Sequence, residues 1–132
     1  MEEPPQDAGD AVDEFEVVFY RTANGAVPMD ELLDSLPSKL SAKAHHDLEA
    51  LRERADLLRE PHSKSMGEGL FELRIRQGGD IARAFYFFFV GRTIVVTNGF
   101  VKKTQKTPRR EIARALAYKA DWEERFGNGR SR

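Results

Sequence analysis

"LFELRIRQGGDIARAFYFFFVGRTIVVTNGFV", residues 70–101, decides the fold of this chain. In residues 70–76 apolar side chains alternate with charged ones, which is the two-residue period of a β-strand. The glycine-containing segment 77–80 predicts a hairpin turn, and the aromatic run 81–89 predicts the returning strand. After a second turn, residues 93–101 predict a third strand. We therefore expect an antiparallel β-meander.

The residues before the meander predict one strand and two helices. Residues 15–21 alternate with the same two-residue period. Pro28 suits the first turn of a helix, and the leucines that follow recur every three to four residues until Pro37. A longer helix is predicted over residues 38–60, because its apolar side chains form one stripe at helical spacing. The members of that stripe are Leu40, Ala44, Leu48, Leu51, Ala55 and Leu58.

The rest of the chain completes an α+β prediction. Residues 62–69 are expected to be a loop, and Thr107-Pro108 predicts the start of a C-terminal helix that runs to residue 126. The expected order is β-α-α-β-β-β-α, with the helix pair packed on the sheet and strand 1 at its edge. We expect one domain over residues 15–126, after an acidic and disordered tail at 1–14 and before a flexible end at 127–132.

Composition narrows the class of protein. The chain has 132 residues, no cysteine and no apolar run long enough to span a membrane, so we expect a soluble cytoplasmic protein. Its net charge of -1 hides a strong polarity. Residues 1–63 hold 6 Lys and Arg against 15 Asp and Glu, whereas residues 64–119 hold 12 against 4. The second half therefore resembles a phosphate-binding surface.

The sequence offers little for metal or carboxylate chemistry. His45 and His46 are neighbours on a helix and cannot share one ligand face, and no histidine follows His62. Glu68 and Glu72 lie among cations, so Glu72 is expected to pair with a neighbouring arginine. We expect no cofactor and no metal.

A set of cations remains as the candidate site. Arg74 and Arg76 share a strand face, and Arg83 on the next strand is expected to lie across from them. Five more cations lie between the last strand and the last helix: Lys102, Lys103, Lys106, Arg109 and Arg110. The alternative to a binding site is a solvated basic edge that blocks strand pairing. For Arg109 and Arg110 a binding role and a surface role are rated as equal. Phe100 and Tyr86 are either core aromatics or stacking platforms for bases.

These residues carry a resemblance. The segment "GLFELRIRQGGDIARAFYFFFVGRTIVVTNGFVKKTQKTPRREIARA", residues 69–115, resembles the HigB-type, phage-derived branch of the RelE-like toxin superfamily. That branch has an L-x-E-L-R-x-R-like strand, an R-x-x-Y/F aromatic strand and a G-F-x-K-K-T-x-K-T-P corner in this order. The resemblance extends over about residues 15–120, nearly the whole predicted fold.

The resemblance implies a type II toxin, a ribosome-dependent mRNA endonuclease that works without a metal. In such enzymes the mRNA 2′-OH attacks its own adjacent phosphate. Arg74, Arg76 and Arg83 would then bind the phosphate and stabilise the transition state. Lys102, Lys103 and Lys106 would bind RNA, with one of them as the proton carrier. Several members of the wider superfamily use a histidine, tyrosine or aspartate near the C-terminal end as acid or base, but this chain ends in DWEERFGNGRSR, without a histidine.

The implied partners are the ribosome with its mRNA and a cognate antitoxin of the helix-turn-helix, HigA-like kind. Operator DNA would be bound only through that antitoxin, and no membrane is implied. A different class of function stays open, which is a non-catalytic RNA- or DNA-binding module of the same fold. A purely structural interaction domain fits the charge polarity least well.

Overall fold

Five strands form one mixed sheet in the computed structural model, which describes residues 14–102 and 106–127. The elements along the chain are β1 (Glu16–Phe19), α1 (Pro28–Ser35), α2 (Ser38–Ala50), a short 3-10 helix (Ala55–Leu58), β2 (Ser63–Gly67), β3 (Leu70–Gln77), β4 (Asp80–Phe89), β5 (Thr93–Val101) and α3 (Arg109–Gly127). The strand order across the sheet is β1-β5-β4-β3-β2.

The antiparallel meander is confirmed, and β1 joins the sheet edge as expected. Strands β2 to β5 pair antiparallel in chain order, whereas β1 pairs parallel to β5. The parallel pairing is possible because the helix pair α1–α2 lies in the long connection between β1 and the meander. The α+β class and the packing of helices on a meander are therefore as predicted from the sequence.

The segment predicted as a loop over residues 62–69 contains a fourth meander strand. β2 pairs with β3, with Ser63 opposite Leu73 and Lys64 opposite Glu72. Its sequence SKSMG has no apolar alternation, because it is an edge strand whose side chains are mostly exposed. The loop prediction was wrong there, and the order of elements is β-α-α-β-β-β-β-α.

The second helix is shorter than its apolar stripe suggested. α2 ends at Ala50, and the chain turns into the 3-10 helix at Ala55–Leu58. Ala55, a predicted member of the stripe, is exposed, whereas Leu57 is buried. The turn is stabilised by the Ser63 hydroxyl, which donates a hydrogen bond of 2.6 Å to the carbonyl oxygen of Leu57. This turn after α2 directs the chain into β2 at the edge of the sheet.

Helices cover both faces of the sheet. The face covered by α1 and α2, called the helix-pair face, holds the main core, in which Met29, Leu40 and Leu51 pack with strand side chains. The strand members of this core include Leu73, Ile75, Ala82, Ala84, Tyr86, Ile94 and Val96. The opposite face, called the α3 face, is covered only in part, because α3 packs on it through two smaller apolar clusters.

The C-terminal helix is fixed to the sheet at both ends of its length. Ala115, together with Ile112 and Leu116, packs against Leu70 and Phe85 near the start of α3. Further along, the Tyr20 hydroxyl donates a hydrogen bond of 2.6 Å to Oδ2 of Asp121, and the Tyr20 ring stacks on Tyr118. α3 is therefore attached to the sheet at two positions along its length.

Some predicted segments lie outside the described residues. These are the acidic N-terminal segment up to residue 13, the corner residues 103–105, and the last residues 128–132. None of the helices in the described ranges is long and apolar enough to cross a membrane.

Candidate functional site

Three of the predicted cations come together on the open part of the α3 face. Arg74 on β3 lies directly across from Arg83 on β4, and Arg76 lies two residues further along β3 on the same face. Arg83 is 7% exposed, Arg74 is half-buried and Arg76 is exposed. The expected position of Arg83 opposite the β3 arginines is confirmed. Together with Lys102, these three residues are called the basic cluster.

Glu72 neutralises part of this cluster. Its side chain is 1% exposed, and Oε1 forms an ion pair with Nη1 of Arg83. Oε2 accepts a hydrogen bond of 2.6 Å from the hydroxyl of Thr107, just before α3. The pairing of Glu72 with an arginine is as expected from the sequence. The contact with Thr107 was not predicted, because Thr107-Pro108 indicates only the start of a helix in the sequence.

Arg74 and Arg83 both retain donor capacity. Nη1 of Arg74 donates to the carbonyl oxygen of Pro61 at 3.1 Å, and Nη1 of Arg83 is used by Glu72. Nε of Arg74 and Nε of Arg83 are buried, and neither has a hydrogen-bond partner among the described residues. A buried N–H without an acceptor costs free energy, so these groups favour an anionic ligand with several oxygen atoms.

Lys102, which directly follows β5, is the fourth member of the basic cluster. Its backbone N–H donates a hydrogen bond of 2.8 Å to the carbonyl oxygen of Ile81, which extends the β4–β5 ladder by one residue. The pKa of its ammonium group is lowered, first by burial and then by the nearby charges of Arg83, Arg74 and Arg76, while Glu72 opposes the change. A lysine in such surroundings exchanges protons more readily than a solvated one.

Phe100 borders the cluster, but Tyr86 does not. Phe100 pairs with Arg83 in the β4–β5 ladder, is half-buried, and packs on Phe85 with ring centroids 5.9 Å apart. Tyr86 is 0% exposed on the helix-pair face, where its hydroxyl donates to Ser63 at 2.8 Å. A base cannot stack on a ring buried in the core, so the proposed RNA-binding role of Tyr86 is not compatible with its position.

The remaining predicted residues lie in the corner segment, residues 102–108, and at the start of α3. Lys106, Arg109 and Arg110 are exposed there, and Nε of Arg110 lies 4.0 Å from Oε2 of Glu111. Lys103 lies outside the described residues, so its role stays a prediction. The exposed cations border the basic cluster along the chain, since Lys102 starts the corner segment and Arg109 follows it.

The basic cluster reaches solvent through Arg76, which is exposed. Two cavities of about 420 Å³ and 460 Å³ lie elsewhere, lined by residues of β1, α1, α2 and the turns beside them, and neither includes a member of the basic cluster. Among the described residues no group of three histidine, aspartate or glutamate side chains could hold a metal ion. An open cationic surface suits an extended polyanion better than an enclosed small molecule.

The comparisons with known proteins agree with the sequence motifs. A family model described as phage derived protein Gp49-like (DUF891) matches residues 31–119, which is about two thirds of the chain. The matched range contains Glu72, Thr107 and the whole basic cluster. No curated protein gives a significant match. The predicted resemblance is confirmed, and the chain belongs to the phage-derived Gp49-like family, a HigB-like toxin family of the RelE superfamily.

Proposed function

We propose that this protein is a toxin that cleaves mRNA on the ribosome without a metal ion. The observation that carries the proposal is the convergence of Arg74, Arg76, Arg83 and Lys102 on one open face of the sheet. Nothing in the packing of the core requires four cations there, and the buried carboxylate of Glu72 offsets part of their mutual repulsion. A phosphodiester would offset the rest.

Phosphate binding is the first task of the cluster. Arg76 is exposed and can meet the RNA backbone directly, whereas Arg74 and Arg83 offer buried Nε–H donors at fixed positions. Donors that are fixed before the substrate arrives stabilise developing charge better than mobile ones. The phosphorane formed during cleavage carries an additional negative charge, so this preorganised set favours the transition state over the bound substrate.

The proposed reaction is a transesterification within the RNA. The 2′-oxygen forms a bond to phosphorus as its proton is removed, and the bond from phosphorus to the 5′-oxygen breaks as that oxygen gains a proton. The products are a 2′,3′-cyclic phosphate and a 5′-hydroxyl. Lys102 is our candidate proton carrier, because it lies beside the arginines and burial and those charges lower the pKa of its ammonium group.

The exposed cations beside the cluster would bind the surrounding RNA. Lys106, Arg109 and Arg110 project from the corner segment and the first turn of α3, where they can contact mRNA or ribosomal RNA. Phe100 offers a half-buried ring next to Arg83 on which a base could stack. Membership of a toxin family implies a cognate antitoxin. We propose a helix-turn-helix antitoxin that covers the basic cluster or displaces α3.

The test is cleavage of a translated mRNA by the full chain made in a cell-free translation reaction. Primer extension on the mRNA would compare the wild type with Arg76→Ala, which removes an exposed cation of the cluster. Lys39→Ala is the matched control, because Lys39 is an exposed cation on α2, on the helix-pair side of the sheet. We expect cuts that depend on translation with wild type and Lys39→Ala, and much weaker cuts with Arg76→Ala.

Two results would contradict the proposal. Intact mRNA with the folded wild-type protein, together with salt-dependent RNA binding, would favour a non-catalytic RNA-binding module of the same fold. Cuts of equal strength with Arg76→Ala and Lys39→Ala would remove the basic cluster from the reaction.

A further inference from the structure

Glu72 is a buried carboxylate in the middle of a cationic surface. It lies on β3 on the same face as Arg74 and Arg76, with a side chain that is 1% exposed. Burying a carboxylate is costly unless both of its oxygens are satisfied. Each oxygen of Glu72 is satisfied by a different part of the chain. Oε1 pairs with Arg83 on β4, and Oε2 accepts a hydrogen bond from Thr107, just before α3. An ion pair with Arg83 alone would need only the first of these two contacts.

The first oxygen fixes Arg83. Position 83 lies opposite Arg74 in the ladder, so Arg83 reaches diagonally along the face to Glu72. The guanidinium is planar, and an ion pair through Nη1 fixes the plane and with it the direction of Nε–H. Nε of Arg83 is one of the buried donors that have no hydrogen-bond partner among the described residues. Glu72 therefore sets the direction in which Arg83 can bind an anion.

The second oxygen fixes the chain just before α3. Thr107 is 35 residues away from Glu72 in sequence and lies two residues before the start of α3. On the other side of residues 103–105, the Lys102 N–H is bonded to the carbonyl oxygen of Ile81 on β4. Lys102 is thus attached to β4, and Thr107 is attached to β3.

We propose that Glu72 is a positioning residue of the RNA site, which holds Arg83 with one oxygen and Thr107, two residues before α3, with the other. The inference rests on the proposed function for its cleavage test, but the two contacts define Glu72 independently of it. The inference also concerns charge, because Glu72 opposes the lowering of the Lys102 pKa by Arg83, Arg74 and Arg76. Glu72 would thus help to determine the protonation state of Lys102.

The sharpest variants change Thr107, because Glu72→Ala would leave Arg83 buried without a partner and could unfold the protein. Thr107→Val keeps the volume of the side chain and removes the hydroxyl, whereas Thr107→Ser keeps the hydroxyl. Cleavage of a ribosome-bound mRNA would be measured under saturating conditions and at low substrate. We expect Thr107→Val to lower kcat about tenfold or more with KM changed only about twofold, since small displacements of reacting groups cost large factors in rate.

The Thr107→Ser variant distinguishes positioning from packing. It should retain cleavage close to that of the wild type, because its hydroxyl can still donate to Oε2 of Glu72. A merely structural contact would lower the melting temperature of Thr107→Val without changing kcat of the folded protein. Wild-type kcat in Thr107→Val, or equal losses in Thr107→Val and Thr107→Ser, would overturn the inference.

A titration separates this inference from the proposed function. NMR of lysine side chains labelled with ¹⁵N would follow Lys102 in the wild type and in Glu72→Gln. The pKa of Lys102 should fall further in Glu72→Gln, because the variant removes the carboxylate but leaves Arg74, Arg76 and Arg83 in place. Thr107→Val should shift the backbone amide signals of Lys102 and Lys106, whereas Lys39→Ala should not. If the wild type cleaves no mRNA, the proposed function fails, and the absence of both NMR changes would then overturn the positioning role as well.

Discussion

Gly99 on β5 lies against the backbone of Arg83 on β4, closer than any other residue type would allow. A Cβ atom at position 99 would be 2.3 Å from the carbonyl oxygen of Arg83 and 2.8 Å from Cδ2 of Leu32 on α1. The register of β4 and β5 shifts nearby, between Ala84 and Tyr86. The glycine therefore lets α1 pack closely on the sheet directly behind the basic cluster.

Gly99→Ala should destabilise the fold by about 1–3 kcal/mol or more, as expected for overpacking against backbone atoms that cannot move aside. Gly79→Ala is the matched control, because a Cβ at Gly79 meets no atom within 4 Å and the backbone there has no positive φ. Urea unfolding followed by circular dichroism would measure both. Equal stability of Gly99→Ala and Gly79→Ala would contradict the close approach of β5 to β4.

Arg83→Met should cost about 3–5 kcal/mol of folding free energy, because it leaves the carboxylate of Glu72 buried without its ion-pair partner. Arg76→Ala, an exposed cation on the same face, should change stability by no more than about 0.5 kcal/mol. Thermal unfolding at neutral pH would compare the two. Loss of activity in an Arg83 variant is therefore interpretable only after its folding is measured, whereas Arg76→Ala tests the site directly.

Much of this architecture was predictable, because the meander strands and α3 have strong periodic patterns. The alternation in β3 also predicted that Glu72, Arg74 and Arg76 share one face, and the hairpin placed Arg83 opposite them. β2 was not predicted, because an exposed edge strand needs no alternation of apolar and polar side chains. The end of α2 was also missed, since an apolar stripe does not reveal where a chain must turn to reach the sheet.

The candidate site was predicted less completely than the fold. Sequence spacing identifies cations on one strand face, but it gives no information on contacts between residues distant in sequence, such as Glu72 and Thr107. For Tyr86 the choice between core aromatic and stacking platform stayed open, because residues in a run of aromatics resemble one another and only the strand pairing shows that this ring faces the helix pair. The pattern of alternation from Phe85 to Phe87 could have indicated opposite faces.

Tyr20→Phe should loosen the attachment of α3 in a manner that depends on pH. The pKa of Asp121 is held below its ordinary value of 3.8, first by the hydrogen bond from Tyr20 and then by Arg125. A carboxyl with a lowered folded-state pKa contributes stability above that ordinary value, and the contribution is lost as the pH falls through the folded-state pKa. The melting temperature of Tyr20→Phe should therefore lie below that of the wild type at about pH 7 and approach it as the pH falls through the lowered pKa of Asp121.

The control for Tyr20 is a double-mutant cycle. Tyr20→Phe should have little effect in an Asp121→Asn background, because the charged acceptor of the hydrogen bond is already absent. A pH-independent difference between wild type and Tyr20→Phe would assign the effect to ring packing on Tyr118 instead of to the hydrogen bond.

Lys102→Arg should separate charge from proton transfer. Arginine keeps the positive charge but does not lose its proton at accessible pH, so RNA binding should survive while cleavage falls about 100-fold, the usual range for one acid or base group. In the wild type, the single-turnover cleavage rate should rise with pH up to the lowered pKa of Lys102, which lies below its ordinary value of 10.5. The pH–rate profile of Lys102→Arg should lack this rise. Cleavage at the wild-type rate by Lys102→Arg would instead assign proton transfer to another group, and Lys103→Arg would be the next variant to measure. Lys39→Arg is the control for the effect of a lysine-to-arginine substitution itself.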